Sequence, residues 1–77
     1  MRANRDWQAQ AKGLIRAELA RRQLSYADLA DRLAALGVKE SERNLSNKIN
    51  RGTFTVVFLL QVMEAIGVKN LQIDSGN

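Results

Sequence analysis

The clearest helical pattern in this chain of 77 residues is Leu24-Ser25-Tyr26-Ala27-Asp28-Leu29-Ala30-Asp31-Arg32-Leu33. Ser25 is a favoured N-cap residue, and Asp28, three positions later, completes a capping-box pattern. Apolar residues follow at the spacing of one helix face, and Gly37 stands where such a helix would end. The segment therefore predicts a helix that begins at Ser25 and stops at Gly37.

The rest of the chain divides into three more helices by the same signals. Glycines at positions 37, 52 and 67 each follow an apolar periodic run, as residues just beyond a helix end often do. We expect helices over about residues 5–22, 25–36, 41–50 and 55–66, with Ser41 as a second N-cap. The absence of proline also favours helix over sheet. The predicted fold class is all-α, a compact four- to five-helix bundle whose minor fifth element would lie near residues 71–73.

The length of the chain predicts a single domain over residues 1–77. We expect residues 1–6, with Arg2 and Arg5, to form a basic arm, and residues 69–77 to form a C-terminal tail. In the first helix, Trp7 shares the apolar spacing of Ile15 and Leu19, so it is predicted to be a core or lid residue.

The composition argues against several functional classes. The chain has no cysteine and no histidine, which excludes disulfides and Cys/His zinc sites. Asp28 and Asp31 lie three residues apart on a predicted helix, where a cap and a surface charge explain them better than paired catalytic carboxylates do. We therefore expect no enzyme activity, no metal or other cofactor, and no small-molecule substrate.

The sequence shows no pattern typical of secretion or membrane insertion. No apolar run follows the first residues, and the longest apolar stretch, residues 54–63, is too short to cross a bilayer. We expect a cytoplasmic protein without membrane contact.

The charge is modestly basic and unevenly distributed. Twelve Lys and Arg residues against eight Asp and Glu give a formal net charge of +4 at pH 7. No acidic residue occurs between Glu42 and Glu64, and Arg43, Lys48 and Arg51 fall inside that gap. A local excess of cations points towards nucleic acid as a partner.

The third predicted helix has an unusual distribution of side chains. Leu45 and Ile49 form its one apolar strip at about 100° per residue. Arg43, Asn47 and Arg51 follow one another at four-residue spacing on the opposite side. Two apolar anchors against a wide polar and cationic face are typical of a helix that reads a nucleic-acid groove.

These motifs resemble those of lambda-repressor-like (Xre-type) helix-turn-helix domains. Residues 24–33 resemble the second helix of that family, typically Leu-Ser-Gln-x-x-Leu-Ala-x-x-Leu, and Leu45-Ser46 resembles the Ile-Ser of its recognition helix. Asn50-Arg51-Gly52 resembles the Glu-Asn-Gly that ends the recognition helix, and residues 65–68 resemble the Ala-Leu-Gly-Val that closes the fourth helix. The resemblance covers about residues 15–68 and extends to a small bacterial family with no assigned role.

The sequence also departs from the family's pattern. Residues 33 to 45 span about five more positions than usual, which predicts a longer second helix and a wider turn. Many relatives pair an arginine late in the first helix with the glutamate that ends the recognition helix. Leu19 and either Ile49 or Asn50 stand at those places here, so we expect an apolar contact instead of the ion pair.

The resemblance implies a helix-turn-helix domain that binds double-stranded DNA sequence-specifically, as a bacterial transcription regulator associated with the nucleoid when bound. Its recognition helix would span about residues 42–50 and enter the major groove. The predicted DNA-binding residues are Ser25, Tyr26, Ser41, Arg43, Asn44, Asn47, Lys48 and Arg51.

A homodimer is expected as well, since Val57 and Phe58 stand where relatives usually carry polar residues. These two residues are the predicted dimer interface. In the competing interpretation, Phe58 packs beneath Trp7 within one chain. Two other functions remain open on the same fold: a protein–protein adaptor or antitoxin-like partner, and a non-specific architectural DNA binder.

Overall fold

The computed structural model describes residues 6–71, and within that range the chain forms four α-helices and no strand. They are α1 (Trp7–Arg21), α2 (Tyr26–Ala35), α3 (Glu42–Arg51) and α4 (Val56–Ile66). The predicted all-helical fold is confirmed, with each helix end within about two residues of its expected place. Leu71 has no regular structure. The predicted basic arm, apart from residue 6, and the rest of the predicted fifth element lie outside the described residues.

Each helix begins at a polar side chain that caps its first turn. The N-cap residues of α1 to α4 are Asp6, Ser25, Ser41 and Thr55. The side-chain oxygen of each accepts the backbone N–H three residues later, which otherwise has no partner inside the helix. In α2 the cap is reciprocal, because Asp28 Oδ2 accepts the Ser25 N–H at 2.9 Å. The predicted capping box is therefore confirmed.

The core is built from residues of all four helices. Its buried apolar members are Ile15, Leu19, Leu29, Leu33, Leu45, Ile49, Phe58, Val62, Met63 and Ile66. Both α1 and α2 pack against α3 and against α4. Leu19 and Ile49, for which an apolar contact was expected, both belong to this cluster.

Trp7 lies outside this core, contrary to the prediction. Its side chain is 66% exposed. At 100° per residue, the first position of α1 lies about 80° from Ile15 and about 120° from Leu19 around the helix axis. The three- and four-residue spacing that begins at Trp7 therefore drifts off the buried face within two turns.

The first turn of α1 rests against the end of α3 at Gly52. This residue has a φ of 69°, in the left-handed region, and it caps the C-terminus of α3. A Cβ atom at position 52 would lie 2.8 Å from the carbonyl carbon of Gln8 and 2.9 Å from its Cα. Glycine is therefore required twice, for the backbone conformation and for the close approach of two helices.

Gly52→Ala should destabilise the protein more than Gly67→Ala. Both glycines have positive φ, but an added Cβ at Gly67 meets no atom within 4 Å. The control should lose about 1 kcal/mol of unfolding free energy from backbone strain alone. At Gly52 the displacement of backbone adds roughly 1–3 kcal/mol. Urea unfolding followed by circular dichroism measures both losses, and equal losses would contradict the close approach.

Asp28 should make the stability of α2 depend on pH. Its pKa is held below the ordinary value of 3.8, first by the hydrogen bond from the Ser25 backbone, then by the Ser25 side chain and the charge of Arg32. Because the pKa is lowered in the folded state, the ionised carboxylate stabilises the fold above the unfolded-state pKa. That contribution is lost as the pH falls through the folded-state pKa.

Asp28→Asn should accordingly be less stable than the wild type at pH 7. The difference in unfolding free energy should shrink as the pH falls below 3.8. Thermal melts of both proteins across that range measure it. A difference that persists undiminished in acid would show that Asp28 acts through its shape and not its charge.

Candidate nucleic-acid interface

The outward face of α3 carries the predicted recognition residues. Leu45 and Ile49 are 0% exposed and hold the opposite side of the helix in the core. Arg43, Asn47 and Arg51 are all exposed, as the helical spacing predicted. Among the ion pairs found within residues 6–71, none involves Arg43 or Arg51. Both guanidinium groups are therefore available to an outside partner.

The N-terminal half of this face opens into a shallow groove shared with the start of α2. The groove is lined by Tyr26, Ser41, Glu42, Arg43, Ser46 and Asn47. The structure thus brings together four residues that the sequence predicted as DNA contacts on two separate helices. Glu42 and Ser46 also line the groove; both fall within the predicted recognition helix, although neither is among the predicted DNA-binding residues.

The polar side chains along α3 are partly committed to local hydrogen bonds. The Ser41 hydroxyl accepts the Asn44 N–H at 3.0 Å, and Asn50 Nδ2 donates to the Ser46 hydroxyl at 3.2 Å. Ser41 therefore acts first as a cap that fixes where α3 begins.

Ser25 is committed in the same way at the start of α2. Its hydroxyl accepts from Asp28 N–H, and its own N–H donates to the Asp28 carboxylate. With an ordinary pKa of 3.8, lowered further by these hydrogen bonds, the Asp28 carboxylate is ionised at neutral pH. A phosphate at this helix start would meet a negative charge, so Ser25 is a helix cap before it is a phosphate contact.

Lys48 differs from the other predicted cations of α3. Its ammonium group pairs with Glu40 and lies 5.1 Å from the centroid of the Phe58 ring. The Glu40 carboxylate is 14% exposed, so the pair is partly shielded from solvent. Lys48 therefore lies against α4, and its charge already has a partner within the chain.

A second cavity, of about 220 Å³, lies between the end of α3 and the start of α4. Lys48, Arg51, Thr53, Phe54, Thr55 and Phe58 line it. Two cations thus stand beside the first turn of α4, where backbone N–H groups and the helix dipole favour negative charge. The arrangement suits an anionic group such as a phosphate.

The predicted dimer interface is only half exposed. Phe58 is 5% exposed, and its ring centroid lies 5.6 Å from that of Phe54. Phe58 therefore lies in the core of its own chain, with little surface left for the interface that the sequence predicted. Val57 is 63% exposed and remains available to a partner.

Within residues 6–71, no group of three or more acidic, histidine or cysteine side chains could hold a metal ion. None of the helices in this range is both long and apolar enough to cross a membrane.

The model of a domain of unknown function, DUF6471, matches residues 7–71, nearly the whole described range. No curated protein and no solved structure matches the chain. The chain, an all-helical domain with a cationic and polar outer face on its third helix, belongs to the DUF6471 family.

Proposed function

We propose that this protein binds double-stranded DNA through a helix-turn-helix formed by α2 and α3, and that it regulates transcription. The observation that carries the proposal is the division of α3 into two fully buried anchors and an exposed face of arginine and asparagine. A helix in the middle of a core would bury side chains around most of its circumference, whereas α3 buries only the strip formed by Leu45 and Ile49.

The residues near the start of α3 suit base recognition. Arg43, Asn44 and Asn47 are exposed in its first two turns, the part of a recognition helix that reaches deepest into the major groove. An arginine fork fits guanine O6 and N7, and an asparagine amide fits adenine N6 and N7. Glu42, which lines the same groove, would accept from a cytosine amine or turn aside from the phosphates.

The residues at the end of α3 suit phosphate binding. Arg51 lines the cavity at the first turn of α4 together with Thr53 and Thr55, whose hydroxyls are hydrogen-bond donors. Tyr26, at the α2 side of the shallow groove between α2 and α3, would contact a second phosphate. Contacts of this kind set the register of a protein on the duplex without reading its sequence.

Arg43→Ala combined with Asn47→Ala should remove sequence preference. Loss of each base-reading side chain should cost roughly 1–3 kcal/mol of binding free energy and relax the preference at one position. The measurement is fluorescence anisotropy on a duplex selected from a random library and on an unrelated duplex.

Lys69→Ala combined with Asn70→Ala is a matched control. It likewise removes one cationic residue and one asparagine, here from exposed positions beyond the C-terminus of α4, and it should bind like the wild type. If the Arg43/Asn47 variant stays helical yet keeps wild-type affinity and preference, α3 is not the reader. If the wild type binds both duplexes alike, the protein is a non-specific architectural binder.

Glu40→Gln should strengthen binding to every sequence alike. The substitution releases the Lys48 ammonium from its ion pair, so that it can neutralise a phosphate. The slope of log binding constant against log salt should then steepen by about one. Asp31→Asn, which makes the same charge change at an exposed position of α2, is the control. An unchanged salt slope in Glu40→Gln would place Lys48 away from the DNA.

A further inference from the structure

The outward face of α4 is apolar and takes no part in the core. Val56, Val57 and Leu60 are 69%, 63% and 62% exposed. At 100° per residue they lie within about one third of the helix circumference. The buried residues of the same helix are Phe58, Val62, Met63 and Ile66. Adjacent large apolar side chains left in water are typical of a surface that another molecule covers.

Glu64 lies on the same face and is the single charged residue of α4. It stands in the last turn, where the negative end of the helix dipole disfavours a carboxylate. The first turn of α4 has no acidic residue of its own to complement its positive end. The carboxylate of Glu64 would stabilise the N-terminus of α4, but it lies at the C-terminus of the same helix.

We propose that two copies of this chain associate through this face, with α4 antiparallel to α4 of the second copy and Leu60 at the two-fold axis. Val56 precedes Leu60 by four residues and Glu64 follows it by four. An antiparallel pair that crosses at Leu60 thus places each Glu64 beside the first turn of the other α4. The carboxylate then meets the positive end of a helix dipole, and its aliphatic stem covers Val56.

The antiparallel orientation follows from the position of Glu64. A parallel pair would set the two carboxylates against each other, and would leave both uncomplemented N-termini side by side. In a two-fold interface each contact occurs twice. The antiparallel pair therefore gains two favourable dipole contacts where the parallel pair has a like-charge repulsion.

The association should be weak. A standard stable interface buries about 800 Å² on each partner, and three aliphatic side chains can form only its centre. We expect a dissociation constant in the micromolar range or above. The cavity lined by Lys48 and Arg51 adjoins Phe58, which is about 160° around α4 from Leu60. Dimer formation therefore leaves the cavity uncovered.

Sedimentation equilibrium of the full chain without DNA tests the association. The wild type should show a monomer–dimer equilibrium between micromolar and near-millimolar concentration. Leu60→Glu should remain monomeric, because it places two carboxylates at the axis. Glu64→Gln should weaken the dimer about three- to thirty-fold through its two dipole contacts. Leu36→Glu, at a 46% exposed leucine beyond α2, should dimerise like the wild type.

A monomeric wild type, or equal effects of the Leu60 and Leu36 variants, would overturn the proposal whatever the result with DNA. Circular dichroism of each variant is the control for folding, and each variant should fold because all the altered side chains are exposed.

Cross-linking tests the orientation, since the chain has no cysteine of its own. Leu60→Cys alone should cross-link efficiently with a short bismaleimide. Val56→Cys and Glu64→Cys chains should cross-link to each other when mixed, and much less when each is treated alone. Efficient cross-linking of Val56→Cys with itself would overturn the antiparallel arrangement.

Discussion

The complete burial of Leu45 and Ile49 is the contact on which the rest of α3 depends. A helix of ten residues is marginal in water without tertiary packing, and these two side chains supply that packing from one narrow strip. Because they lie four residues apart, they fix the rotation of α3 about its axis as well as its attachment. Every other side chain of the helix then has a defined direction, and the proposed reading of DNA requires such a direction.

The far end of α3 is located by a different kind of contact. At Gly52 the chain turns in the left-handed conformation directly beneath the backbone of Gln8. The first turn of α1 thus limits how far α3 can slide, and the Ser41 cap sets where it begins. Arg51 and the start of α4 are positioned by the same turn, so the turn at Gly52 also sets the geometry of the second cavity.

The ion pairs of this protein indicate where a polyanion could bind better than its net charge does. A net charge of +4 says little about where a polyanion would bind. Glu40 holds Lys48 beside Phe58, while Arg43 and Arg51 take no part in the ion pairs found in residues 6–71. The two sides of α4 also differ. One side packs in the core, and the other carries three exposed aliphatic residues and the carboxylate of Glu64, which lies at the negative end of the helix dipole.

Local chemistry along the chain was sufficient to predict the four helices, the caps at Ser25 and Ser41, and the two-sided character of α3. Each depends on neighbours within one or two turns, which the order of residues already contains. Tertiary packing alone decided which side of the largely apolar helix α4 enters the core, so that Phe58 is buried while Leu60 is exposed. It also decided the Lys48–Glu40 pair and the approach of Gln8 to Gly52. Such contacts join residues from different elements, and their distances are set by how the helices pack, which helical spacing does not determine.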